Sequence, residues 1–109
     1  MSRTFLLIAM EFFVYILYSS EQNIFYKGQT NNLHERIHRH SNGYEKSTCR
    51  YNDLKLIWSC TKPTRSEALI LETKLKNLSK QRLIDFMLKY NEGIAGPDEL
   101  LLLKQLSGC

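Results

Sequence analysis

Cysteine is scarce in this chain and poorly placed for cross-linking. The 109 residues contain three, Cys49, Cys60 and Cys109, and no pair has CxxC spacing. An odd count without that spacing argues against a disulfide framework and against a thiolate zinc site. A reducing, cytoplasmic setting is the expectation that follows. Internal repeats and low-complexity stretches are missing, which leaves an ordinary globular chain. Long apolar runs are missing too. Hydrophobic residues make up 43%, too few for a membrane protein, so no membrane partner is expected. The nearest approach to a leader is Arg3 followed by the apolar run from Phe5 to Met10 and then Phe12 to Tyr18. Glu11 interrupts that stretch and no small-x-small cleavage site follows promptly. The expected domain therefore starts near Met10, with residues 1–9 a poorly ordered extension.

The chain is long enough for one compact domain with one modest core. Its net charge of +4 is unevenly distributed. Residues 27–65 hold eight basic and three acidic side chains, while residues 66–109 hold six of each. A basic middle segment suits a polyanion such as nucleic acid, although a solvated surface has the same composition.

Residues 12–18 are aromatic and β-branched and read as a buried strand. The polar stretch 19–23 is of hairpin length, and Ile24 to Gln29 reads as a second strand. Asn31 or Asn32 is a credible N-cap for a helix that runs to His40 or Ser41 and stops at Asn42-Gly43. A polar, basic loop covers 44–52. Leu54 to Cys60 reads as a third strand, with Leu54, Leu56 and Trp58 alternating against Lys55, Ile57 and Ser59. Thr64 to Glu67 forms a capping box that opens a helix to about Leu78. Further helices are expected over roughly 80–90 and, within the tail 92–109, over Pro97 to Leu106. The fold class is α+β: a small three-stranded antiparallel sheet flanked by helices.

Several polar side chains stand out within this frame. A hairpin centred between Ser20 and Glu21 places Tyr15 directly opposite Tyr26 on one sheet face. Packing of both rings in the core is the ordinary alternative. On the first helix, Ile37, His40 and Arg36 all fall within about 60° of Leu33. Arg36 and His40 thus flank the apolar stripe, where an arginine can clamp a phosphate or simply snorkel. On the long helix, Glu72 lies beside the stripe Ala68, Leu71, Leu75 and Leu78. A carboxylate there needs a partner. One Mg²⁺, which takes one or two protein carboxylates plus water and phosphate, would serve, and so would Lys76 at i+4. His34-Glu35-Arg36-Ile37-His38 matches HExxH, but both histidines point toward solvent and no third ligand follows, so a zinc hydrolase is disfavoured.

Taken in order, these residues resemble the GIY-YIG nuclease superfamily. Phe13-Val14-Tyr15 stands for GIY and Tyr26-Lys27-Gly28 for YIG. Gly28-Gln29-Thr30-Asn31-Asn32-Leu33 followed by Arg36 looks like G-x-T-x-N-L-x-x-R. His40 and Gly43 then follow, and Glu67-Ala68 through Glu72 and Lys76 resembles E-A-x-x-x-E-x-x-x-K. The likeness spans residues 12–89 and is to short stand-alone bacterial members related to the excision-repair nuclease domain. It departs at Phe13, Lys27, Gln29, Ile84 and Asp85. The resemblance implies a nuclease domain over 10–91 and a metal-dependent DNA endonuclease acting in repair or processing. A catalytically weak nucleic-acid-binding module of the same fold is the alternative. It implies that Glu72 holds one Mg²⁺ or Mn²⁺ and that Tyr15 or Tyr26 orients or activates water. It further implies that Arg36 neutralises the phosphate and His40 assists proton transfer. Lys27, Arg39, Lys46, Arg50 and Lys55 are candidates for flanking phosphates of DNA. No small-molecule cofactor is expected.

Overall fold

The computed structural model describes residues 11–108; the expected extension at 1–9 lies outside the described residues. Three strands, β1 (Phe12–Ser19), β2 (Ile24–Thr30) and β3 (Lys55–Lys62), form one antiparallel sheet in the order β2-β1-β3. Helix α1 (Leu33–Ser41) lies between β2 and β3 in the chain. Helices α2 (Arg65–Lys76), α3 (Lys80–Lys89) and α4 (Pro97–Leu106) follow β3. The α+β class expected from the strand and helix patterns is therefore the one observed.

β1 is the central strand, and residues 14–19 are buried along its length, which is why it reads as a continuous apolar run rather than an alternation. Val14, Ile16 and Tyr18 face one way, into a core made with Ile57, Trp58, Ala68, Leu75, Leu83, Ile84, Met87 and Leu103. Helices α2, α3 and α4 all contribute to that core. The chain after α3 is tied to the sheet: Ile94 forms a bridge with Trp58, and the Ala95 amide donates to the Ile57 carbonyl at 3.0 Å. Tyr15 and Leu17 face the other way.

The helix ends follow from local chemistry. Asn32 Oδ1 accepts from the Glu35 amide at 3.1 Å and Thr64 Oγ1 from the Glu67 amide at 3.1 Å. Each satisfies an otherwise orphaned donor of the first turn. Past α1, Gly43 takes a φ of +72°, which reverses the chain into the following loop.

Two details of the sheet differ from expectation. Tyr15 pairs with Gly28, and Tyr26 with Leu17. The turn is a four-residue connection, Ser20–Asn23, centred one residue later than the polar pattern suggested. Asn23 adopts a φ of +53° and accepts the Tyr18 phenol at 2.8 Å, while Asp53 accepts from Ser19 Oγ at 2.7 Å and the Glu21 amide at 2.9 Å. These contacts fix the turn in its displaced register. The displacement along β2 is two residues, so both tyrosines keep the same face. In β3, the register shifts between Ile16 and Leu17, where Trp58 and Leu56 are the respective partners. Ile57 is the extra residue of this bulge. Ile57 and Trp58 are consequently both buried, although alternation had put Ile57 with the solvent-facing set.

Candidate active site

The sheet face opposite the helical core carries the polar cluster. Tyr15 comes from the middle of β1, Tyr26 from β2, Arg36 and His40 from α1. Gly28 makes the arrangement possible. The Tyr15 ring lies across it so closely that a Cβ there would sit 2.5 Å from the phenol oxygen. The missing side chain leaves the ring room to cross β2 and reach His40.

Tyr15 Oη and His40 Nε2 are 3.1 Å apart, and His40 Nδ1 and Thr48 Oγ1 are 2.7 Å apart. The His40 ring centroid lies 5.8 Å from that of Tyr15 and 5.2 Å from that of Tyr26. The two tyrosine rings are 6.5 Å apart. Ser47 Oγ donates to Tyr26 Oη at 3.2 Å. Tyr15, His40 and Thr48 are all buried.

Burial sets the protonation states. It pushes the Tyr15 phenol up to about 12, with the nearby Arg36 guanidinium pulling it back and Tyr26 and Glu45 adding to the rise. Burial also lowers His40 below the ordinary histidine value; Glu45 partly offsets this, and Arg36 and Arg39 reinforce it. Near neutral pH the pair is therefore a protonated phenol beside a neutral imidazole. In that state the phenol donates to Nε2, and Nδ1–H donates to the Thr48 hydroxyl.

The loop from 43 to 51 contributes three site residues that the sequence pattern did not single out: Glu45, Ser47 and Thr48. Glu45 Oε2 lies 2.6 Å from Arg39 Nε and 3.6 Å from Arg36 Nε. Its carboxyl is held below the usual carboxylate range, first by Arg39. Polar residues in an irregular segment have no periodicity to read. Their partners become visible only once Gly43 has folded the loop back over α1.

Glu72 occupies a different position. It stands on α2, the helix of the opposite sheet face, and Lys76 Nζ lies 3.3 Å from its Oε2. Its side chain is only 14% exposed. Lys27 belongs to this side as well: burial lowers its ammonium, and Lys76 adds to the effect. Among the described residues no hydrogen bond or ion pair joins Glu72 to the tyrosines, Arg36 or His40. The structure thus gathers Tyr15, Tyr26, Arg36 and His40 in one cluster, while the described contact of Glu72 is with Lys76.

The expected phosphate contacts are scattered. Lys46 and Arg50 are exposed on the 43–51 loop, and Arg50 lies over the Tyr51 ring at 5.0 Å. Arg39 is committed to Glu45. Lys55 lies at the hairpin end, in a hollow shared with Tyr18, Asp53, Asp98 and Glu99. His34 and His38 are both exposed, and among the described residues no group of three metal-binding side chains assembles. Cys49 and Cys60 are free thiols. No described helix is long and apolar enough to cross a membrane.

A phenol on each of two adjacent strands, with an arginine and a histidine from the helix that follows, is the arrangement expected of a nuclease-type GIY-YIG domain. The profile of the GIY-YIG catalytic domain family matches residues 11–90, and the chain belongs to that family. It is 36% identical over 70 residues to the UPF0213 protein plu4503 of Photorhabdus laumondii subsp. laumondii, an alignment covering 63% of this chain and 67% of that protein. The solution NMR structure of the UPF0213 protein BH0048 from Bacillus halodurans shares 29% identity, covering 84% of this chain and 94% of its own, with a TM-score of 0.49.

Proposed function

We propose that the protein is a divalent-metal-dependent DNA endonuclease, acting in repair or processing, that hydrolyses a phosphodiester beside Tyr15, Tyr26, Arg36 and His40. The observation that carries this reading is the buried chain Tyr15–His40–Thr48 with a guanidinium alongside. It is a route for one proton. As a water attacks phosphorus, its proton passes to the Tyr15 oxygen while the phenol proton passes to His40 Nε2. The imidazolium formed keeps its Nδ1–H on Thr48. Arg36 offsets the negative charge that builds on the phosphate and on the phenol oxygen. Tyr26, steadied by Ser47, orients the water. Lys46 and Arg50 supply charge for flanking phosphates, which governs affinity rather than sequence choice.

Glu72 fits a single hard cation. Its carboxylate is mostly withdrawn from water and ion-paired through one oxygen, and magnesium uses one or two protein carboxylates. Glu72 would hold that ion, and the ion would supply Lewis-acid chemistry to a substrate phosphate that reaches from the tyrosine face to the side of the sheet where α2 packs. The Glu72–Lys76 pair also favours a second reading, a nucleic-acid-binding module that does not cut.

Nicked, flapped and branched DNA incubated with Mg²⁺ or Mn²⁺ separates the two. Cleavage that falls by about 10²-fold or more in Arg36→Ala and Glu72→Gln, and persists in His34→Ala, supports the endonuclease. Retention of DNA without cutting in the unmodified protein supports the binding module.

A further inference from the structure

Glu45 has no part in the proton route, yet it sits against both guanidiniums of α1. Its Oε2 is 2.6 Å from Arg39 Nε and 3.6 Å from Arg36 Nε, and its side chain is 22% exposed. The loop is built to hold it there. Gly43 turns the chain with its positive φ, and the Tyr44 amide donates to the Arg39 carbonyl at 2.9 Å. The Thr48 amide donates to the Glu45 carbonyl at 3.1 Å, and the Thr48 hydroxyl is anchored on His40. An anion is thereby lodged between two arginines, close enough to the Tyr15 phenol to affect its titration.

Carboxylate and phosphate engage arginine through the same geometry of oxygens facing N–H donors. Glu45 uses one oxygen, and the arginines remain accessible, Arg36 at 36% and Arg39 at 46% side-chain exposure. A solvent-facing pair of this kind is weak and screened by salt. We propose that Arg36 and Arg39 together form a binding site for a backbone phosphate of nucleic acid, and that Glu45 is a resident anion which this phosphate displaces. The proposal rests on the nucleic-acid reading above and adds to it a second arginine whose contact is conditional on Glu45. It makes Glu45 a filter: anions too weak to compete are turned away, and the 43–51 loop shifts when a phosphate succeeds.

The test uses the full chain, a short fluorescently labelled DNA duplex and no metal, so that binding is read apart from cutting. Glu45→Gln is expected to bind about two- to fivefold more tightly, the range set by a weak ion pair. The slope of log affinity against log salt should steepen by about one. Arg39→Ala is expected to cost about twofold or less in the otherwise unmodified protein and roughly fivefold or more in the Glu45→Gln background. Glu45→Ser repeats the measurement with a smaller side chain, and thermal melting checks that each variant is folded. Binding by Glu45→Gln that is unchanged or weaker, or an Arg39→Ala cost equal in both backgrounds, overturns the proposal. Failure of every variant to retain DNA overturns it together with the nucleic-acid reading. The expected binding pattern without cleavage on adding Mg²⁺ supports the proposal while removing the catalytic reading.

Discussion

Gly28→Ala is the perturbation for which the structure gives the most direct magnitude. The added Cβ would lie 2.5 Å from Tyr15 Oη and 2.6 Å from Cζ, against an ordinary contact of 3.4–4 Å. The ring must therefore retreat by about 1 Å, because packing forces at such separations are steep. It has no solvent-filled space to enter: Tyr15 is fully buried, with the His40 and Tyr26 rings beside it. Overpacking of a buried site costs about 1–3 kcal/mol. For a domain of this size each kcal/mol lowers the melting midpoint by roughly 4–8 °C. A retreat of that size also stretches the 3.1 Å contact to His40 beyond hydrogen-bonding range. Cleavage by the folded fraction is then expected to fall by about 10²-fold, the lower end of what general acid–base groups contribute. Urea denaturation and a cleavage assay measure the two effects. The decisive comparison is a double-mutant cycle with Tyr15→Ala. Removing the ring should make Gly28→Ala close to neutral. A Gly28→Ala cost that is the same with and without the Tyr15 ring would refute the argument.

Three other outcomes follow from the same cluster. Thr48→Val strips His40 Nδ1 of its buried partner and should cost about 1–3 kcal/mol in urea denaturation, whereas Thr48→Ser, which keeps the hydroxyl, should lose little; a loss in Thr48→Ser as large as in Thr48→Val would refute the hydroxyl as the source of the cost. Burial lowers His40 in the folded protein, so below the ordinary histidine value of about 6.5 the unfolded chain takes up the proton first. Stability should accordingly fall as pH drops from about 7 toward 5, and His40→Gln should flatten that slope, as measured by denaturation across the pH series. A chelator should abolish cleavage and leave the melting midpoint unchanged, since no cluster of three metal-binding side chains holds the described residues together; a large drop in the midpoint would point to a structural metal.

What the sequence determined on its own was local and periodic. The aromatic and β-branched run of β1, the Asn32 and Thr64 caps and the stripe of Ala68 and Leu75 each depend on neighbours within a few residues. Spacing on α1 likewise put Arg36 and His40 beside the apolar stripe, because a helix fixes which residues share a face. Tertiary structure decided the rest. Which residue faces Tyr15 depends on a turn held by Asp53, which lies more than thirty positions away along the chain. The bulge that buries Ile57 beside Trp58 is set by how β3 pairs with β1, not by the alternation within β3 itself. The Glu45, Ser47 and Thr48 contacts arise from an aperiodic loop laid back over α1. Glu72 is legible in the sequence as a carboxylate beside an apolar stripe with Lys76 one turn further on, whereas the face of the sheet on which its helix packs is set by the tertiary fold. Side-chain type and spacing record what a residue can do; where an irregular loop or a distant helix delivers it is set by packing energies summed over the whole domain.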